Sequence, residues 1–140
     1  MPALLNNVVI TTAVAAALGP TLQIRSPIGL PTSVGIQGSL SYGSGGTTIN
    51  VWVQTSFDGG GTWCDVANFS FTTLSARSFF NVSSLTPKTT AVTPTDGALA
   101  ANTCNDGMVG SQWRCKYTTT GTYAGNTQLS VDIEATGMTT

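Results

Sequence analysis

INVWVQTSFDGGGTWCDVANFSF, residues 49–71, holds two apolar-alternating runs separated by a glycine-rich turn. Ile49, Val51 and Val53 alternate with Asn50, Trp52 and Gln54. That period of two is what a strand with one buried face requires. Gly59, Gly60 and Gly61 then supply the backbone freedom a tight reversal needs. On the return run, Trp63, Ala67, Phe69 and Phe71 place bulk on one parity. The segment reads as a β-hairpin.

The same reading extends outward in both directions. Upstream, Thr21–Ser26 is a short strand candidate broken by the stretch from Pro27 to Pro31. Val34, Ile36, Leu40 and Tyr42 then alternate with Ser33, Gly35, Gln37, Ser39 and Ser41. Downstream, Phe80 and Val82 fall on one side of a strand and Phe79 on the other. Trp113, Cys115 and Tyr117 alternate with polar residues, as do Leu129, Val131 and Ile133. Helical periodicity is nearly absent; only Val8–Leu18 admits it, and its Val and Thr content favours an extended arm ended by Gly19-Pro20. About seven or eight short strands of this kind predict an all-β fold. The expected form is an antiparallel β-sandwich, jelly-roll or immunoglobulin-like, over residues 19–140. It carries an extended N-terminal arm, residues 1–18, and a long Thr/Pro-rich loop from Ser84 to Gly107.

Composition narrows the function. Charged residues make up 8% of the 140-residue chain, against roughly a quarter in typical domains. Five basic and six acidic side chains leave a net charge of −1. Five scattered cations do not make a phosphate-binding face, so nucleic acid is not an expected partner. There is no histidine, which removes the commonest general base and zinc ligand. The apolar run Val8–Leu18 is shorter than the roughly 20 residues a membrane helix needs. No Lys or Arg precedes it, which argues against a signal peptide. Cys64, Cys104 and Cys115 show no metal-binding spacing and read as reduced, mostly buried thiols, with a bridge within or between subunits as the alternative. No metal, cofactor or catalytic residue is expected. A nearly uncharged surface favours association, so the surface is expected to dock against neighbours.

Ser56, Asp58, Gly60, Thr62 and Trp63 fit the pattern Ser-x-Asp-x-Gly-x-Thr-Trp. This resembles the Asp box of sialidase-type propellers and other β proteins. Its carboxylate accepts turn N–H groups and its Trp packs over the hairpin base, so a single copy implies a structural hairpin. Trp52 lies opposite the apolar parity; it reads first as core or intersheet packing, and otherwise as an outward-facing aromatic that anchors an interface or stacks on a sugar. Asp132 and Glu134 share one strand face and are expected to form cross-strand ion pairs with Lys116 or Arg114. Asn105-Asp106-Gly107 reads as a turn.

Three stretches carry a wider resemblance: residues 49–71, TPTDGALAANTCNDGMVG (residues 93–110) and YTTTGTYAGNTQLSVDIEA (residues 117–135). Together they are similar to small structural virion proteins of tailed bacteriophages. The resemblance implies a non-enzymatic particle component assembled in the host cytoplasm, most of all a capsid decoration (cement) protein. A tail or neck position and a carbohydrate-binding receptor-recognition module are the alternatives. The implied partners are the major capsid protein or other virion subunits, with a homo-oligomer, a trimer, as the expected state. Leu4, Leu5, Val8, Val9, Trp52, Pro94 and Leu99 are the expected interface residues, carried by the arm and the long loop.

Overall fold

The computed structural model describes residues 3–23 and 32–136. Eleven strands and no helix lie among them. One sheet has the order β1 (Ala3–Val9), β11 (Gln128–Thr136), β4 (Ser33–Ser41), β8 (Ala76–Ser83). The other has the order β2 (Val14–Leu18), β9 (Gln112–Thr120), β6 (Thr48–Ser56), β7 (Cys64–Phe71), with β3 (Leu22–Gln23) also on β9. A two-residue ribbon, β5 (Ser44–Gly45) with β10 (Tyr123–Ala124), sits apart. Every pairing is antiparallel. The all-β antiparallel architecture expected from the alternation is therefore present. Setting aside the three two-residue strands, the eight others pair first with last, second with seventh, third with sixth and fourth with fifth. The expected end of a strand at Ile24–Ser26 and the break over residues 27–31 lie outside the described residues, as does Pro2.

The two sheets share one apolar core. Val34, Ile36 and Leu40 of β4 face it together with Leu129, Val131 and Ile133 of β11. From the other sheet come Ile49, Val51 and Val53 of β6, Phe69 and Phe71 of β7, and Trp113 and Cys115 of β9. The sheets lie close together at Gly38, where a Cβ would stand 2.8 Å from the Phe69 ring. Phe69 in turn packs on Phe80, ring centres 5.1 Å apart. A side chain at Gly38 would hold the sheets apart and open gaps around its neighbours.

The described part of the expected N-terminal arm, residues 3–18, runs as two strands along the sheets. β1 closes the first sheet against β11, and β2 lies against β9 in the second. Between them the N–H of Ile10 donates to Thr127 O (2.9 Å), and Thr11 O accepts from the N–H of Tyr123 (2.7 Å). Leu4 and Leu5 are 0% and 3% exposed. The reason is energetic: two adjacent leucines stabilise the chain more by covering the open end of its own core than by staying in water. No boundary separates residues 3–18 from the rest.

Candidate functional site

The hairpin between β6 and β7 turns on the Asp-box residues. Ser56 Oγ donates to Asp58 Oδ1 (2.9 Å) and accepts from the N–H of Gly60 (2.9 Å). Asp58 Oδ1 also accepts the N–H of Thr62 (2.7 Å). The Thr62 N–H, then the Ser56 hydroxyl, holds the exposed Asp58 carboxyl below the usual aspartate range. Gly59 and Gly60 adopt φ of +73° and +97°, which a side chain would oppose. Trp63 is half-buried and carries the Arg114 guanidinium 4.3 Å from its ring centre. The residues are brought together as one local turn, and the Trp is engaged with β9.

Asp65 and Trp63 reach the outer face because of a β-bulge. Strict alternation along β7 would set both on the same side as Ala67, Phe69 and Phe71, with a carboxylate inside the core. The pairing instead shifts between Val53/Ala67 and Gln54/Asp65. One extra residue re-aims what precedes it, and Asp65 falls opposite Gln54 on the outer side of the sheet.

There the long loop lies over it. Asp65 is 0% exposed, and among the described residues no cation forms an ion pair with it. Its carboxylate accepts the N–H groups of Gly97 (2.9 and 3.0 Å), Ala98 (2.8 Å) and Leu99 (3.0 Å). Thr95 Oγ1 (3.0 Å) and Gln54 Nε2 (2.9 Å) complete the shell. Successive backbone N–H groups curled around one anion form a nest, and several such donors offset the cost of burying its charge. Gly97 makes the curl: its φ is +85°, and a Cβ would meet Lys116 Cδ at 3.2 Å.

A second carboxylate finishes the attachment. Asp96 accepts from Lys116 Nζ (2.6 Å) and Gln54 Nε2 (2.6 Å), with Arg114 at 3.7 Å. Gln54 Oε1 accepts from Arg114 Nε (2.8 Å), so the amide of this wholly buried Gln54 is used at both ends. Burial pushes the Asp96 carboxyl up, but the Lys116 and Gln54 hydrogen bonds and the two cations outweigh it, leaving it below the usual range. The expected pairing of Arg114 and Lys116 with Asp132 and Glu134 is thus corrected. The cations sit on β9 and the acids on β11, in different sheets, and Asp96 takes the cations.

Trp52 and Leu99 are tied by the same strap. Leu99 O accepts from Trp52 Nε1 (3.0 Å) and from Asn68 Nδ2 (2.9 Å), and both Leu99 and Trp52 are half-buried. Both are held by their own chain, with Trp52 on the outward parity and partly covered by the loop. Pro94 is exposed and lines a cleft of about 350 Å³ with Phe57, Cys64, Val92 and Met108. Val8 is half-buried and Val9 is 52% exposed. Asp106 is part of the turn expected around it, accepting the N–H groups of Ser83 and Gly107 (2.8 Å each).

The three thiols are free, and burial pushes each above its ordinary value, which lowers their reactivity. The cluster around Asp65 has nearly all its polar atoms committed to the chain itself, so its chemistry is that of a fastening. Sequence reasoning missed Asp65, Gln54 and Asp96 as its centre. The available signal was Asp65 itself, an acid on the apolar parity of a strand. The chain matches no family model, and neither the curated proteins nor the solved structures yield a match.

Proposed function

We propose that the chain is a structural component of a tailed-phage particle, foremost a capsid decoration protein, built on an eight-stranded jelly roll. The observation that carries this reading is the pairing order: first strand with last, second with seventh, third with sixth, fourth with fifth. That is the winding of a rolled hairpin, a frame used by viral shell proteins and by lectins. The immunoglobulin alternative pairs its strands in another order. The low charge favours the shell over the lectin. Roofing of Trp52 by the loop removes the aromatic platform a sugar would stack on.

Of the contact residues the sequence suggested, Val9 and Pro94 are kept, joined by other exposed apolar groups. Leu4, Leu5, Trp52 and Leu99 serve the chain's own fold. Val9, Val14 and Leu18 along the N-terminal strands, and Phe57, Val92 and Pro94 around the cleft, are the apolar groups that a shell subunit would cover. Many such small contacts, repeated over a lattice, add through multivalency. The test is co-sedimentation of the purified chain with undecorated shells of its parent phage, beside a glycan array. Saturable binding at a fixed ratio to shell subunits supports the reading. Glycan retention with no shell binding overturns it and favours the receptor-recognition module; a polar groove lined by Asn7, Ser39, Arg77 and Gln128 is where such a ligand would sit.

A further inference from the structure

Four strands end the two sheets, and three of them are blunted. β1 shifts register between Ala3 and Leu5 and again between Leu5 and Val8, with Asn7 at φ 49°. β2 shifts between Val14 and Ala17, with Ala16 at φ 54°. β7 is covered by the long loop: the N–H of Asp65 donates to Thr95 O (2.8 Å), that of Asn68 to Thr103 O (2.9 Å) and that of Ser70 to Asn102 Oδ1 (3.0 Å). β8 is the exception. It pairs with β4 at eight consecutive positions, Ala76 to Ser83, with no shift. Proteins blunt, cover or pair such edges, because a straight open edge is a template for another strand.

Among the described residues, the groups of this edge that meet no other strand can be named. The N–H of Ser84 donates toward β4, to Thr32 O (2.9 Å), while that of Ser83 turns the other way, to Asp106 Oδ1 (2.8 Å). Backbone alternation then directs the N–H and C=O groups of Arg77, Phe79 and Asn81 away from β4. Their side chains lie on the outer face, since Phe80 and Val82 pack against the core, and Phe79 is 76% exposed.

We propose that this edge pairs antiparallel with β8 of a second copy of the chain, about a two-fold axis at Phe79. Each Phe79 then stands opposite its counterpart, and Arg77 opposite Asn81 of the second copy, with about six new main-chain hydrogen bonds. The strand suits itself as a partner. Arg77 is its single charge, so no like charges meet, and a net charge of −1 adds little repulsion. Phe79 supplies an aromatic cross-strand pair at the centre. The guanidinium of Arg77 is set at the mouth of a small cleft lined by Asn81, Gly35 and Glu134 of the other copy, with Glu134 the carboxylate it faces. The assembly is a two-fold dimer, in place of the trimer expected from sequence. It deepens the particle reading by naming a first contact, and it is tested without any shell.

Light scattering or sedimentation velocity over the micromolar range, on the whole chain, reads the result. Wild type is expected to dimerise with rising concentration. F79K and F79E each set like charges opposite one another, and each is expected to weaken the dimer about tenfold or more. An equimolar mixture is expected to recover a dimer holding one copy of each. Their melting temperatures serve as the folding control, since an exposed side chain is changed. A wild type that stays monomeric overturns the proposal. So does a variant that dimerises as well as wild type, or a mixture that does not recover. Failure here leaves shell binding intact as a separate question.

Discussion

Asp65 sits where its neighbours in sequence argue for the core, yet it ends as the acceptor for a whole loop. Removing the carboxylate leaves three adjacent backbone N–H groups, a threonine hydroxyl and a glutamine amide without their partner. Asp65→Ala is therefore expected to cost about 3 kcal/mol, read from denaturant unfolding. Gly97→Ala keeps the acceptor but opposes the φ of +85° and the approach of Lys116, and about 1–2 kcal/mol is expected from a thermal melt. Asp96 gives a pH dependence. Its folded value lies below the unfolded value of about 3.9, so its contribution is complete above that pH. The contribution is lost as pH falls through the folded value. Half-exposure of the Asp96 side chain limits it to about 1 kcal/mol or less. Asp96→Asn is expected to flatten the acid limb of the stability profile below about pH 4, with Trp52 fluorescence reporting the loop.

At the scale of elements, the Phe69 ring of one sheet lies directly over Gly38 of the other. Gly38→Val is expected to destabilise by about 2 kcal/mol, with loss of cooperativity in the melt as the sign that the sheets have been pried apart. The interior strands were legible in the sequence. Val34–Leu40, Ile49–Val53, Trp113–Tyr117 and Leu129–Ile133 alternate cleanly, and each lies within β4, β6, β9 or β11. Of the edges, β8 was legible, with Phe80 and Val82 on one side and Phe79 on the other, but β1 and part of β7 were not. In β1 the register shifts put adjacent Leu4 and Leu5 both inside, which no period of two describes. In β7 the bulge turns Asp65 and Trp63 away from the parity of Phe69. The stretch 84–107 has no periodicity because a side-chain anion and an irregular run of N–H groups hold it in place of a ladder. The Asp-box residues were readable because their hydrogen bonds are local. The fastening at Asp65 was hidden because its parts lie about 30 residues apart and come together only after the hairpin has formed.

For the whole molecule, residues 95–105 of the long loop are spent on the chain itself and seal the β7 edge, while the β8 edge has no strand against it among the described residues. On the proposed reading, the chain is closed across β7 and pairs along β8. Amide hydrogen exchange on the intact chain at low and high concentration tests both halves at once. The account predicts slow exchange at Gly97, Ala98, Leu99 and Asn105 at either concentration. It predicts fast exchange at Arg77, Phe79 and Asn81 in dilute solution, slowing as the concentration rises. Fast exchange throughout residues 95–105, or β8 amides that are protected equally at every dilution, would contradict it.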